Sequence, residues 1–264
     1  MSVLRALPAL FRVGLAQMLA YRAELVIWFL TSTAPIIALF VWDRVAEAGP
    51  IGRFDQQSLG SYFVAMIVVR QLTGCWLVWE LNEAIRSGEI NAQLLKPMSP
   101  MWYWAAENLA AHPFRVLVLL PLVALLYVWR PELAYWPGGL SMGLAVLSTG
   151  LGWTLVFATH VAFGSLAFRL QQTMGIYNVW FGMFMLFSGY IFPIELAPEW
   201  AQRALAWMPF RAMLGTPVEI ATGLMQPGQA LWAMGAQCLW IAVFGVIAGV
   251  LWRTGLRHHE AVGA

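Results

Sequence analysis

Charged side chains are scarce in this sequence. Only 11% of its 264 residues are charged and 61% are hydrophobic, whereas a soluble domain has about a quarter of its residues charged. A water-soluble fold of this length could not bury so much apolar surface. The scarcity excludes a soluble globular protein and indicates that lipid surrounds most of the chain. The net charge of +2 is small and the basic residues are scattered, so nucleic-acid binding is not expected.

Cysteine is also scarce, and nucleotide-binding motifs are absent. Cys75 and Cys238 both lie in apolar stretches, where a small buried hydrophobe is the ordinary role, so we expect neither a disulfide nor a metal site. The sequence has no Gly-x-x-x-x-Gly-Lys-Ser/Thr phosphate-binding loop. Nothing in it resembles a catalytic dyad or a nucleophile with its base. We therefore expect no catalytic residues and no cofactor on this chain.

Six segments are apolar enough to cross a bilayer, which requires about 20 predominantly apolar residues. The predicted spans cover about residues 25–42, 59–78, 109–128, 140–166, 173–192 and 231–252. The fold class that follows is an all-α membrane protein with about six transmembrane helices. We predict a single domain over residues 1–264, with the bundle at 25–252 and a tail at 253–264.

The residues before the first span have the pattern of an amphipathic helix. Arg5 and Arg12 fall on one narrow helical face, and leucines, Phe11 and Met18 cover most of the rest. The pattern predicts a helix over residues 1–22 that lies flat in the membrane interface, with its arginines toward the headgroups. A simple extension of the first span is the alternative.

Lys and Arg in the short flanks predict the orientation, because cytoplasmic loops carry an excess of basic residues. With the N-terminus inside, eight basic residues are cytoplasmic and five are external. The eight are Arg5, Arg12, Arg22, Arg86, Lys96, Arg169, Arg253 and Arg257, and the five are Arg44, Arg53, Arg130, Arg203 and Arg211. Both termini are therefore predicted to be cytoplasmic.

The loop after the second span, residues 80–100, has the pattern of helix, break and helix. Gly88 is placed to take the left-handed conformation that ends a helix. A short helix is predicted over residues 89–95. Ser99 and Pro100 are the residue types of an N-cap and a first helical position. The loop is therefore predicted to be a compact helical protrusion from the membrane.

The segment between the fifth and sixth spans, residues 187–228, fits neither a loop nor a span. It is too apolar for a solvated loop, and Pro193, Pro198 and Pro209 interrupt any single helix. Two short helices that re-enter the outer leaflet satisfy both constraints, and we predict them within residues 187–209. The backbone groups freed by the prolines must then be buried in protein or face water.

These two segments resemble patterns of the ABC-2 type transporter permeases, and more narrowly of the six-span permeases of bacterial export systems. The segment after the fifth span resembles the family pattern "SG…P…P-x-W…P" at Ser188, Gly189, Pro193, Pro198, Trp200 and Pro209. The loop after the second span resembles the family's first cytoplasmic loop at Arg86, Gly88, Leu94, Leu95 and Pro97. With the six spans and the amphipathic helix, the resemblance covers nearly the whole chain.

The resemblance implies a half-transporter in the bacterial inner membrane. A second permease chain, identical or related, would complete the pathway, and two separate ATP-binding subunits would dock on the cytoplasmic loops and bind ATP and Mg²⁺. The helix at residues 89–95 resembles the coupling helix that contacts those subunits; an ordinary solvated loop is the alternative. The implied coupling residues are Arg86, Gly88, Glu89, Ile90, Leu94, Leu95, Lys96 and Pro97, with Ile90, Leu94 and Leu95 buried against the partner. The re-entrant segment would be an exit gate.

Five ionisable residues are placed in or near the spans, where they are costly and indicate function. Arg70 lies near the middle of the second span, and we expect it to pair with a carboxylate or carbonyl groups at the permease interface, with a substrate-facing role as the alternative. For His160, in the fourth span, we expect hydrogen-bonded packing, with a proton relay as the alternative. Glu107, His112 and Arg115 cluster at the start of the third span, and we expect Glu107 and Arg115 to extend to the cytoplasmic interface.

Two other functions compete with export of a hydrophobic or amphiphilic compound, lipid or glycan. A secondary transporter driven by an ion gradient would have carboxylates near the membrane centre and an internal repeat, but the six predicted spans contain no Asp or Glu. An integral membrane enzyme would need clustered polar residues near an interface. His258 and His259, in the tail, are the only such pair.

Overall fold

The structure is a computed structural model that describes residues 33–170, 173–257 and 259, and this part of the chain is all-α. The helices are α1 (Thr33–Ala46), α2 (Gln56–Thr73), α3 (Leu77–Arg86), α4 (Ile90–Leu94), α5 (Pro100–Ala110), α6 (His112–Trp129), α7 (Gly139–Ser165), α8 (Thr173–Phe187), α9 (Glu199–Ala206), α10 (Thr216–Ala221) and α11 (Pro227–Leu256). Three 3₁₀ turns lie at Pro131–Leu133, Leu166–Phe168 and Ile194–Leu196, and a π-helical segment, Arg211–Gly215, runs directly into α10.

Among the residues that the structure describes, four stretches of helix are long and apolar enough to cross a membrane. They are Gln56–Arg86, Pro100–Trp129, Gly139–Phe168 and Pro227–Leu256. They correspond to the predicted second, third, fourth and sixth spans, and each is longer than predicted. In Gln56–Arg86 and Pro227–Leu256 the helix continues into polar flanks. The last one runs to Leu256, past the predicted end of the sixth span at residue 252, and the start of the tail at residue 253 stays a prediction.

The predicted first and fifth spans are not established as crossings. Residues 1–32, with the predicted interfacial helix and the beginning of the first predicted span, lie outside the described residues, and α1 overlaps the rest of that span. The apolar helix α8 has 15 residues, about 22 Å at 1.5 Å per residue, which is shorter than the hydrocarbon core of about 30 Å. It ends before the predicted boundary because Gly189, at φ +88°, turns the chain. The count of six spans stays a prediction.

The connections between helices gather at two opposite ends of the bundle. At the first, here called the Arg53 end, the connections at residues 47–55, 130–138 and 188–226 meet. At the second, here called the Arg86 end, the connections at residues 87–99 and 166–170 meet the end of α11. Side-chain contacts join each set: Arg53 pairs with Glu195, and His259 Nε2 lies 2.9 Å from Asn91 Oδ1. The long helices therefore run alternately between the two ends.

Each of the five arginines predicted to be external has a carboxylate partner at the Arg53 end. The pairs are Arg44–Glu47, Arg53–Glu195, Arg130–Asp43, Arg203–Glu199 and Arg211–Glu219. Exposed ion pairs contribute little to stability, about 0–1 kcal/mol. Glu219, at 1% exposure, is the most buried of these five carboxylates.

The helix α2 is the most enclosed of the long helices. It begins with a capping box, in which the Ser58 backbone N–H donates to the Asp55 carboxylate over 2.8 Å and the Asp55 N–H donates to the Ser58 hydroxyl over 3.0 Å. The hydrogen bonds from Ser58 hold the pKa of the Asp55 carboxyl below its ordinary value. Beyond the cap, Tyr62 and Met66 are fully buried. By contrast, α6 and α11 present apolar side chains outward, as lipid-facing helices do.

Candidate functional site

The second long helix is broken in its interior. Residues 74–76 are not helical and separate α2 from α3, whereas the apolar pattern predicts one continuous span. A break leaves the last carbonyl groups of α2 and the first N–H groups of α3 without helical partners. In a membrane such groups must be satisfied by protein or pore water. Side chains next to the break are therefore expected to form hydrogen bonds with its free backbone groups.

Two basic side chains from the third long helix supply donors to the end of α2. Arg115 donates from Nη1 to the Gly74 carbonyl oxygen and to that of Gln71, the latter over 3.4 Å. His112 Nε2 lies 2.7 Å from the Leu72 carbonyl oxygen. The expectation that Arg115 extends to the headgroups is wrong, because its side chain is only 4% exposed and holds the break.

His160 from α7 serves the other side of the break. Its Nδ1 accepts a hydrogen bond from the Val78 N–H over 3.3 Å, near the start of α3. Because Nδ1 is an acceptor, Nε2 carries the ring proton and faces the Tyr177 hydroxyl at 3.0 Å. His160 also packs against the rings of Trp79 and Tyr177. The ring is thus neutral and both of its nitrogens are bonded.

A cavity of about 230 Å³ opens beside the break. Two arginines, Arg70 and Arg115, line it, and no Asp or Glu does so among the residues that the structure describes. Seven aromatic side chains also line it: Trp76, Trp79, Tyr177, Trp180, Phe181, Phe184 and Tyr190. The structure therefore brings the two intramembrane residues singled out from the sequence, Arg70 and His160, to one cavity.

The two arginines of the cavity are close to one another. The Arg70 guanidinium carbon lies 5.7 Å from the centre of the Phe184 ring and 6.0 Å from that of Tyr190. A Cβ built on Gly74 would lie 3.1 Å from Arg70 Nη1 and 3.6 Å from Arg115 Nη1. Two unit charges about 7 Å apart repel by about 2 kcal/mol at an effective dielectric constant of about 20. Pairing of Arg70 with a carboxylate stays a prediction.

The loop at the Arg86 end has the helical form predicted for it. Gly88 takes the left-handed conformation, at φ +80°, as predicted. Ser99 and Pro100 begin α5 as predicted, although the Ser99 side chain makes no capping hydrogen bond. The short helix α4 covers Ile90–Leu94, slightly less than the predicted 89–95.

The apolar residues of α4 divide into two groups. Ile90 is fully buried within this chain, so the expectation that it is buried against a partner is wrong. Leu94 and Leu95 are exposed, Leu95 to 88%. Ile90 thus anchors the short helix while the two leucines project from it. The other loop residues implied to act in coupling, Arg86, Glu89, Lys96 and Pro97, are also exposed.

At the Arg53 end, the Ser188–Gly189 pair lies deep in the fold. Ser188 is fully buried, and the Tyr62 hydroxyl donates to the Gly189 carbonyl oxygen over 2.9 Å. A Cβ on Gly215 would lie 2.7 Å from the Ser188 carbonyl oxygen, so this backbone packs directly on the π-helical segment. Trp42 Nε1 donates to Ile191 over 2.9 Å. The turn after α8 is therefore tied to α1, α2 and the π-helical segment.

The short helices at the Arg53 end differ from the prediction in position. Pro198 precedes α9, which is one short helix before Pro209. The other helical element before Pro209 is a 3₁₀ turn that follows Pro193. The second helical segment, Arg211–Ala221, lies beyond Pro209, so its placement within residues 187–209 is wrong. Trp200 is 75% exposed. Re-entry of this segment into the outer leaflet stays a prediction.

The pair of Arg211 and Glu219 is a feature that the sequence patterns missed. Arg211 Nη2 lies 2.6 Å from Glu219 Oε2, and its Nε lies 3.1 Å from Oε1, so the contact is bidentate. The π-helical segment that carries Arg211 is a form often found at functional sites. The signal was present in the sequence: one arginine and one glutamate in an otherwise apolar stretch.

Long apolar helices around a cavity lined by arginine and aromatic side chains, with a compact helical loop at one end, define a multi-pass membrane protein. The sequence profile described as "ABC-2 family transporter protein" matches residues 50–263, and no curated protein matches the chain. The chain therefore belongs to the ABC-2 transporter family, and the resemblance inferred from its motifs is confirmed. Members are membrane subunits of ABC transporters, and membership implies pairing with ATP-binding subunits.

Proposed function

We propose that the chain is one of two permease chains of an ATP-driven exporter in a bacterial inner membrane. It moves a hydrophobic or amphiphilic compound, lipid or glycan outward. The second permease is a copy or a relative of this chain, and two separate subunits bind ATP with Mg²⁺ and hydrolyse it. Family membership supports the class of transporter. Direction, substrate and composition of the complex are proposals.

The observation that carries the proposal is the pair of exposed leucines at the end of α4, Leu94 and the following Leu95. Apolar side chains that project from a loop outside the apolar core indicate a protein contact. Ile90 anchors α4 in the core, and α3 connects α4 to the break at residues 74–76. Since α3 has 10 residues, it is a rod of about 15 Å. A movement of α4 on its partner would therefore be transmitted through α3 to the cavity wall at Trp76 and Trp79.

The segment at the Arg53 end is proposed as the exit gate. It contains the motif residues Ser188, Gly189, Pro193, Pro198, Trp200 and Pro209 and covers the end of the bundle opposite α4. The hydrogen bond of Tyr62 to Gly189 joins it to α2, whose other end lies at the break. One helix thus connects the proposed gate with the cavity, and in this proposal the Arg86 end is cytoplasmic with both termini.

The experiment introduces Leu94→Asp and Leu95→Asp together and purifies the tagged protein from its native membrane. Two carboxylates forced into an apolar contact cost several kcal/mol, so we expect loss of the ATP-binding subunits from the purified complex, with unchanged membrane abundance. Leu170→Asp, at an exposed leucine of the other connection at the same end, is the matched control and should retain them. Full recovery of the ATP-binding subunits with the double variant would contradict the role of α4.

A further inference from the structure

We infer that the cavity at the α2–α3 break binds an amphiphilic anion, a compound with a carboxylate or phosphate group on a small apolar body. The identification of this anion as the exported compound rests on the proposed function. The binding itself does not, because it follows from the charge and shape of the cavity in this chain.

The charge of the cavity wall is positive. Arg70 and Arg115 line it without any Asp or Glu among the described lining residues. His160 adds no charge, because its Nδ1 accepts the Val78 N–H. Glu80, one residue beyond the lining residue Trp79, is exposed and is not part of the wall. A bound anion would relieve the repulsion between the two guanidinium groups.

The arginines favour an anion over a cation, although aromatic walls alone can attract cations. The Arg70 guanidinium already lies over the ring faces of Phe184 and Tyr190. A cationic ligand could therefore not bind to those two ring faces. Arg115 is held by the carbonyl groups of Gln71 and Gly74, which fixes its guanidinium before any ligand arrives. A fixed planar guanidinium suits carboxylate and phosphate oxygens.

The remaining wall determines the apolar part of the ligand. Trp76 and Trp79 lie 4.9 Å apart between ring centres, and Trp79 and Tyr177 lie 5.0 Å apart. The Tyr177 hydroxyl accepts from His160 and can donate its own proton to a ligand. About 230 Å³ accommodates one ring with a short acidic arm. A small aromatic or branched acid is the size that fits.

Three probes with the same apolar body test the inference: phenylacetate, phenylacetamide and phenethylammonium. Calorimetry on the full chain in lipid nanodiscs should show that phenylacetate binds about tenfold more tightly than either of the others, the difference that one charge-assisted contact gives. Arg70→Met should reduce phenylacetate affinity by about tenfold. Arg44→Met, at an exposed ion pair of the Arg53 end, is the control and should leave the affinity unchanged.

Several results would overturn the inference. The first is equal affinity for phenylacetate and phenylacetamide, and the second is a preference for phenethylammonium. The third is an Arg70→Met variant that has the same thermal unfolding midpoint as the unmodified protein and also binds phenylacetate with unchanged affinity. Glu24 is the only acidic residue among the first 32. Phenylacetate binding that occurs only in Glu24→Gln would also overturn it, since the chain's own carboxylate would then occupy the cavity. The assay needs no ATP-binding subunit, so its failure is distinct from failure of the proposed function.

Discussion

The substitution Gly189→Ala tests how tightly the turn after α8 is held in the fold. Gly189 has φ +88°, a conformation that side-chain-bearing residues rarely adopt. A Cβ at this position would lie 2.5 Å from the Tyr62 hydroxyl oxygen. Tyr62 is fully buried between the rings of Phe54 and Phe63, so its hydroxyl cannot swing away. The alanine must therefore displace either the turn or the tyrosine.

The expected cost has two parts. The positive φ costs an alanine about 1–2 kcal/mol. Displacing the hydroxyl removes its hydrogen bond to Gly189 and leaves a buried polar group unsatisfied, which costs about 1–3 kcal/mol. Together they predict a loss of about 2–5 kcal/mol in the free energy of unfolding, or roughly 10 °C in the thermal unfolding midpoint for a chain of this size.

Size-exclusion chromatography of heated, detergent-solubilised protein measures that midpoint. Gly182→Ala is the matched control, because Gly182 lies inside α8 with open space around its Cβ position and should be unchanged or slightly stabilised. Tyr62→Phe removes the hydroxyl and its clash, so the double variant with Gly189→Ala should lose less than the sum of the two single losses. Additive losses, or a Gly189→Ala midpoint equal to that of Gly182→Ala, would refute the geometry.

Two further predictions concern the Arg53 end and the orientation. Glu219→Gln leaves Arg211 without its charge partner and should lower the free energy of unfolding by about 3 kcal/mol, measured by the same thermal assay. Adding Arg211→Met removes the unpaired charge and should recover part of that loss. No recovery in the double variant would mean that the unpaired charge is not the cause. The orientation is tested in a background in which the exposed Cys238 is replaced by Ser. A cysteine introduced at Ala48 should react with an impermeant reagent on intact cells, whereas one introduced at Ser87 should react only after permeabilisation. Reaction of the cysteine at position 87 on intact cells would invert the orientation.

Local signals in the sequence predicted the loop at the Arg86 end well. Gly88 ends a helix and Pro100 begins one because the conformational preferences of glycine and proline act within a few residues. The burial of Ile90 within this chain was not predictable in the same way. Its burial depends on which surface of the bundle lies beneath α4, and a single short helix does not contain that information.

The cavity was only half predictable for a similar reason. Arg70 and His160 were recognisable as polar residues in apolar stretches, but the break at residues 74–76 was not, because the apolar composition continues through it. Its partners, Arg115 and His160, are distant in sequence and come from two other helices. Buried polar groups need partners, so the polar residues of the third and fourth spans were the available sign that a neighbouring backbone had opened.

The hydrogen bonds at this break also constrain how the protein is made. The second span enters the bilayer before the spans that carry Arg115 and His160. At that moment an open backbone at residues 74–76 would face lipid alone, which costs several kcal/mol for each unmet group. We therefore expect the nascent segment to enter as one uninterrupted helix. On this expectation the break opens when the third and fourth spans pack beside it, and the cavity forms after the second span has been inserted.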